Sequence, residues 1–210
     1  MDFDHTDDRR MLSDSLSRFL GDKYPIDARH KATESEAGYD ADIWAQMAEL
    51  GVIGALIPEE AGGFGGAGFD AMVVFEALGR ALAVEPVLAT GILGAGPVAA
   101  LAAEAKSELL EEIVSGSKTL TLAHGEPDSR YDTAHVAAKA ADGKLTGRKA
   151  VVPNGGSADL LLVSARISGE TTDPDGISLY LVDPKADGVT IRETPAVDGG
   201  RVAEITLDGA

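Results

Sequence analysis

At 210 residues, 44% of them hydrophobic and 25% charged, the sequence can bury a core as one medium and one small domain or as two small ones, which excludes a disordered chain. Its 35 acidic against 18 basic residues give a formal charge of -17, which repels phosphate backbones and anionic lipid headgroups and excludes nucleic acid as an expected partner. There is no cysteine, so disulfides, thiolate metal sites and thiol nucleophiles are excluded, and any redox chemistry has to come from a bound cofactor.

The first residues, Met1-Asp2-Phe3-Asp4-His5, are acidic where a signal peptide is basic, and no apolar run reaches the 18 or more residues of a membrane span. A cytoplasmic protein is expected. Thr6 is placed to cap a helix with Asp7 and Asp8 in its first turn, where negative charge is favourable, and with Leu12, Leu16, Phe19 and Leu20 on one apolar stripe. Ile43, Met47 and Leu50 repeat that spacing, and Gly51 is the expected stop. Phe69 to Leu82 predicts a helix with Met72, Phe75, Leu78 and Leu82 on its buried face. Apolar stretches at 86–103 and 106–114 predict more helix, so residues 1–116 read as an all-α bundle.

After Gly116 the period becomes two. Ile177, Leu179 and Leu181 alternate with Ser178 and Tyr180, and Ala203, Ile205 and Leu207 alternate with Glu204 and Thr206, as half-buried strands do. Leu160 to Val163 is a continuous apolar run, expected of a strand covered on both faces. Asp142-Gly143, Asn154-Gly155, Asp175-Gly176, Asp187-Gly188 and Asp198-Gly199 punctuate these runs with residues that tolerate the positive φ of tight turns. The fold class is therefore α+β, with residues 117–210 forming an antiparallel β-barrel or sandwich.

Gly63-Phe64-Gly65-Gly66-Ala67-Gly68 satisfies the dinucleotide-binding fingerprint to the letter. A phosphate-binding loop has to follow directly on its strand and open a βαβ unit, whereas Pro58-Glu59-Glu60 intervenes here and further helices follow, so the glycines read as a flexible connection. His5, His30, His124 and His135 show no metal-ligand spacing, and no metal site is expected. The serines form no nucleophile elbow, and carboxylates such as Glu111 and Glu112 read as solvated helix faces. His124, on an expected strand beside Gly125 and Glu126-Pro127, is as a lone histidine more often structural than catalytic.

Three stretches together, Trp44 to Gly51, Pro58 to Gly66 and Glu76 to Arg80, resemble the N-terminal signature of the acyl-CoA dehydrogenase family. In the second half, Glu126-Pro127 falls at that family's threonine-glutamate-proline motif, and Leu145 to Lys149 followed by Ala158-Asp159-Leu160 is similar to the segment that ends beside the flavin. Met1 to Asp4, Ala123 to Glu126 with Ser129 to Asp132, and Gly176 to Asp183 resemble most closely, within the family, the small subunits of pimeloyl-CoA dehydrogenases.

The resemblance implies FAD as cofactor and an acyl-CoA thioester as substrate, oxidised to the 2,3-enoyl form. It assigns Leu122, His124, Gly125, Tyr131, Val151, Val152 and Pro153 to the cofactor, and Ser129, Arg130 and Tyr131 to the substrate. It places the catalytic carboxylate in a C-terminal helical domain absent from these 210 residues, so no catalytic residue is assigned. As partners it implies a homo-oligomer or a larger dehydrogenase subunit, with an electron-transfer flavoprotein as a further one; the alternative is a non-catalytic assembly subunit. The sequence departs from the family in two places. Gly125 stands where the motif has threonine, and Val151-Val152-Pro153 where the family has an aromatic-isoleucine-threonine stretch, which removes two hydroxyls, one backbone N–H and stacking area. Weaker or differently organised flavin binding is expected unless His124 and Tyr131 supply replacement contacts.

Overall fold

The computed structural model describes residues 4–210, so most of the Met1-Asp2-Phe3-Asp4 stretch lies outside the described residues. The chain divides into two compact units, one up to Lys118 and one from Thr119 to Ala210.

The first unit is helical: α1 (Asp7–Lys23), α2 (Ile26–Glu34), α3 (Ala41–Glu49), α4 (Gly68–Ala81), α5 (Gly96–Ala102) and α6 (Ser107–Val114). The hydroxyl of Thr6 accepts from the Arg9 amide at 3.3 Å, the cap that the sequence predicts, and Leu16 and Leu20 are buried. Helix α2 has no counterpart in the sequence reading, because it buries only Ala32 and so carries no stripe to find. At the end of α3, Gly51 takes φ +83, its amide donates to Ala48 O at 2.8 Å, and the Val52 amide donates to Met47 O at 3.1 Å. These bonds satisfy carbonyls that the helix end would otherwise orphan.

Helix α4 lies where expected but is rotated. Its buried face is Val73, Val74, Ala77 and Leu78, while Met72 and Leu82 are exposed. Both stripes fit a period of 3.6, and α4 packs against α1, where Arg9 Nε donates to Asp70 Oδ1 at 2.6 Å. The face turned inward is the one with the shorter side chains, and the pair accompanies it. The stretch from Leu88 to Ala95 is helical, as predicted, but winds as a π-helix before α5. Pro97 offers no N–H and would clash with the carbonyl four residues back in a regular α-helix; Gly91 and Gly94 let the preceding turns widen.

The apolar Val52 to Ile57 segment is not a strand: Gly54–Leu56 forms a buried 3₁₀ turn, and the glycine loop folds back on it. The amides of Phe64, Gly65 and Gly66 donate to the carbonyls of Gly54, Ile57 and Ala55 at 2.9 to 3.1 Å. Those of Gly62 and Gly63 donate to Glu59 O and Pro58 O. The amides from Gly62 to Gly66 are thus spent on backbone carbonyls and that of Ala67 on the Asp70 carboxylate, so the loop is a packing device. A Cβ on Gly65 would sit 2.2 Å from Ala55 O, which explains the residue type.

The second unit is a curled sheet of seven strands: β1 (Leu120–Ala123), β2 (Lys139–Ala141), β3 (Lys144–Pro153), β4 (Leu160–Arg166), β5 (Ile177–Val182), β6 (Val189–Pro195) and β7 (Arg201–Asp208). Their order is β1-β4-β2-β3-β7-β6, with β5 on the other edge of β4. Pairing is antiparallel except that β4 runs parallel to β1 and, at Arg166, to β2. The sheet is mixed because more than thirty residues, including the β2–β3 hairpin, separate β1 from β4, which leaves room for a crossover that a tight turn cannot make. Leu161 to Arg166 are all buried, as the run of apolar residues predicts. On β7, Ala203, Ile205 and Leu207 face the core while Glu204 and Thr206 are exposed. Each of the five turn dipeptides has a residue at positive φ: Asp142 and Gly143, Asn154, Gly176, Gly188 and Gly199. Among the described residues no helix is long and apolar enough to cross a membrane.

Glu85 is a buried carboxylate of the first unit that is only partly satisfied. Its Oε1 accepts from the Asp40 amide at 3.5 Å and its Oε2 has no partner. Burial raises its pKa above the ordinary carboxyl value, opposed by hydrogen bonds that include one from Tyr24. Because the folded value is the higher one, this contribution to stability is present at acid pH and lost as pH rises through that value. Glu85→Gln is expected to flatten this part of the pH dependence of the urea midpoint, most visibly above the ordinary carboxyl range. Gly65→Ala is expected to cost about 1–3 kcal/mol in the same assay, since the added Cβ meets backbone, not a movable side chain.

Candidate functional site

Three hydrogen bonds join the end of β1 to the end of β3. Thr121 Oγ1 donates to Pro153 O at 2.7 Å, Lys149 Nζ to His124 O at 3.2 Å, and the Ala150 amide to Gly125 O at 2.8 Å. Two of the predicted cofactor segments, Leu122 to Gly125 and Val151 to Pro153, are thereby brought into one wall.

The wall owes its shape to a bulge. Lys149 pairs with Ile205 and Val152 with Ala203, so three steps along β3 match two along β7, and one residue is extra. Without it, Lys149 and Val152 could not both face the interior; with it, both are 1% exposed and Val151 is thrown outward at 71%. Val151 takes φ +54, a strained conformation for a β-branched residue that costs about 1–3 kcal/mol. Strain of this kind persists only where the surroundings enforce it, and the Ala150 to Gly125 bond is the adjacent restraint. Gly125 is exposed, and a Cβ there would stand 3.2 Å from Ala150 O, so a side chain would crowd the junction.

Beneath the wall lies a buried ion pair. The Lys149 ammonium has three N–H donors, and all are used: Glu126 Oε1 at 2.7 Å, Ser164 Oγ at 3.0 Å and His124 O. Glu126 Oε1 also accepts from the Ala138 amide at 3.0 Å, and Oε2 from the Ala137 amide at 2.8 Å. Burial by itself would raise the Glu126 carboxyl, but Lys149 and the two amides outweigh it and hold the pKa below the ordinary value. Burial lowers the Lys149 ammonium from its usual value, with Glu126 opposing. Ser164 Oγ lies 2.9 Å from His124 Nδ1, and His124 Nε2 lies 3.0 Å from Thr133 O. A carbonyl only accepts, so Nε2 carries the ring proton, Nδ1 accepts, and Ser164 donates to it; the tautomer is assigned by the network.

Both nitrogens of His124 are therefore spent within the protein, and its half-buried ring is left with only its face and carbon edge to offer a ligand. It cannot replace the hydroxyls that the sequence lacks at positions 125 and 153. Leu122 is half-buried on β1, Val152 lies in the core, and Pro153 is half-buried at the end of β3.

The predicted substrate residues lie on the loop that follows Glu126. Ser129 is buried, its hydroxyl donating to Glu126 O at 2.9 Å and accepting from the Glu126 amide at 3.0 Å, so it shapes the turn. Arg130 is exposed at φ +49, and Tyr131 is 101% exposed, projecting fully from the loop. No hydrogen bond ties Tyr131 to the wall. Arg166, 5% exposed, holds the far end of this loop, donating to Ala134 O and Val136 O at 2.9 Å as well as to carbonyls at Thr171, Asp173 and Asp175.

The sequence reading did not single out Lys149, Ser164 or Arg166 for this network. A signal existed for the first: Leu145, Gly147 and Lys149 share a strand face, and Leu145 is apolar, so the lysine falls on the inward side. Among the described residues no group of three His, Asp or Glu side chains could hold a metal ion. Glu126 makes a stability prediction. Its folded pKa is depressed, so the unfolded chain binds more protons, and the stabilisation is present above the ordinary carboxyl pKa and lost as pH falls through the folded value. Unfolding followed from pH 7 to pH 2 is expected to show this loss, and Glu126→Gln to remove it.

Residues 6–117 match the acyl-CoA dehydrogenase N-terminal domain and residues 121–210 the acyl-CoA dehydrogenase middle domain. The chain is 36% identical over 118 residues to acyl-CoA dehydrogenase IpdE2 of Mycolicibacterium smegmatis, covering 56% of this chain and 37% of the relative. It is 30% identical over 211 residues to acyl-CoA dehydrogenase FadE28 of Mycobacterium tuberculosis, covering 100% of this chain and 53% of that protein. Among solved structures it is similar to the Tcur3481-Tcur3483 steroid ACAD, with TM-score 0.83, 31% identity and coverage of 96% of this chain and 55% of that one. It is also similar to the ChsE4-ChsE5 complex of Mycobacterium tuberculosis, with TM-score 0.84, 26% identity and coverage of 100% and 56%. The chain spans about half the length, or less, of these relatives. With both halves matched in order, this chain belongs to the acyl-CoA dehydrogenase family.

Proposed function

We propose that this chain is a subunit, or part of one, of a flavin-dependent acyl-CoA dehydrogenase, with residues 1–116 and 117–210 as its helical and β domains. The observation that carries the reading is the wall itself: Leu122 to Gly125 and Val151 to Pro153 are held together through their flanking residues, by the bonds of Thr121 to Pro153 O, Lys149 to His124 O and the Ala150 amide to Gly125 O. The wall suits a flat, largely apolar ring. Gly125 presents no side chain, Leu122, Val151 and Pro153 present hydrocarbon, and no residue of these two segments carries a formal charge when His124 is neutral.

FAD, when bound, supplies a hydride acceptor. The chain's own residues would orient the group and exclude water: the exposed Val151 would meet the ring, with the half-buried Leu122 and Pro153 bordering it. Val152 acts from the core by holding the bulge. Arg130 and Tyr131, exposed on a loop braced by Glu126 and Arg166, would meet the acyl-CoA, and Ser129 would support them by shaping the turn. The reaction is removal of two hydrogens from an acyl-CoA thioester to give its 2,3-enoyl form, with the catalytic carboxylate supplied from outside these 210 residues.

A second reading is an assembly subunit without chemistry of its own. Both nitrogens of His124 are satisfied internally and hydroxyls are missing at positions 125 and 153, so polar contacts to a flavin are few. In either case the partner proposed is a larger dehydrogenase subunit, in keeping with the two-component names of the Tcur3481-Tcur3483 and ChsE4-ChsE5 neighbours. A homo-oligomer is the simpler assembly, a pimeloyl-CoA dehydrogenase a candidate for the whole, and an electron-transfer flavoprotein the proposed acceptor.

The test is co-expression with a larger subunit from the same operon, followed by an absorbance spectrum and an acyl-CoA oxidation assay. The flavin reading expects a yellow complex that loses colour on adding acyl-CoA, and expects Val151→Asp to lower FAD affinity at least tenfold. A coloured complex whose FAD affinity is indifferent to Val151→Asp moves the flavin site off this chain and favours the assembly role.

A further inference from the structure

We propose that Lys149 is a positioning residue for the cofactor wall: its buried ammonium fixes where the loop after β1 meets the bulge of β3. The inference rests on the flavin reading above for its purpose, but the geometry stands within one unit of the chain.

The ammonium bonds three groups, which together tie the loop after β1, β4 and the Ala137–Ala138 segment to β3. Through His124 O it holds the loop after β1, and through Ser164 it reaches β4 and the His124 ring. Through Glu126 it connects to the amides of Ala137 and Ala138, at the far end of the loop that carries Ser129, Arg130 and Tyr131. Its own backbone is the residue just before the bulge, one step from the Ala150 amide that bonds Gly125 O. Displacing one nitrogen thus shifts the loop carbonyl, the histidine ring and the tip of the substrate loop together.

Cohesion alone does not call for such a group. A buried ion pair gains little over apolar residues of similar volume, because taking both charges out of water offsets most of their attraction. What the pair supplies is direction: three N–H bonds at fixed angles specify one arrangement where methyl groups would accept several. The strained φ of Val151 and the crowded approach of Gly125 to Ala150 need that specificity, since neither would persist in a wall free to relax.

Three variants of the 210-residue chain separate position from stability: Lys149→Met, the double variant Glu126→Leu with Lys149→Met, and Lys149→Arg. Lys149→Met strands the Glu126 carboxylate and is expected to lower the urea midpoint strongly. The double variant removes both charges and is expected to recover much of that loss. Lys149→Arg keeps a cation but replaces three tetrahedral donors with a planar fork. The decisive readout needs no cofactor: exchange of the Ala150 amide, relative to amides of the β4–β5 ladder.

Positioning by Lys149 requires Ala150 exchange at least tenfold faster than wild type in the double variant despite its recovered midpoint, and likewise in Lys149→Arg. FAD affinity, where measured in the reconstituted complex, falls by at least tenfold in both. Wild-type protection of Ala150 in either variant overturns the proposal and leaves the pair a structural one. Should the double variant not fold, Lys149→Arg decides alone. If the wild-type complex takes up no FAD, the flavin reading falls, and the exchange comparison still rules on Lys149.

Discussion

One ammonium group, 1% exposed and bonded to three oxygens, organises the second half of this chain. A buried lysine is costly unless each of its donors finds an acceptor, and here the acceptors come from the loop after β1, from Glu126 and from β4. The requirement to satisfy it fixes the spacing of these elements more tightly than apolar packing would. With that spacing go the bulge in β3 and the outward turn of Val151. The helical unit follows a simpler rule, in which capped helices bury Leu16, Met47, Val74 and Ile113 and the glycine loop closes over a 3₁₀ turn.

Much of the fold is legible in the residues because it depends on local rules. The Thr6 cap, the Gly51 stop and the five turn dipeptides each act within a few residues, and the structure places all of them as their chemistry requires. Period two on β7 and the apolar run on β4 likewise report burial directly. Elements set by distant partners are not legible in that way. Helix α2 buries a single alanine and leaves no stripe, and which face of α4 turns inward is a matter of its packing against α1, distant in sequence. The parallel pairing of β1 with β4 is a matter of topology that alternation does not encode.

The candidate site divides along the same line. The two segments of the wall were recognisable from family resemblance, and the chain's membership rests on matches over residues 6–117 and 121–210. The role of His124 was not recognisable, because a lone histidine carries no sign of which nitrogen is occupied. Ser164 and Thr133 take both, which leaves the face and carbon edge of the ring, and not its nitrogens, for a ligand. The glycine fingerprint shows the converse error that sequence invites: a pattern can fit letter by letter while its amides point at carbonyls of the same chain.

Where a flavin ring lies decides whether this wall is a cofactor site. A crystal structure of the FAD-bound complex, made with a larger dehydrogenase subunit, measures this directly. The ring is expected in van der Waals contact with Val151 and bordered by Leu122, Gly125 and Pro153, with the Ala150 to Gly125 hydrogen bond intact. A ring bound entirely by the partner, with Val151 and Gly125 facing solvent or protein alone, contradicts it.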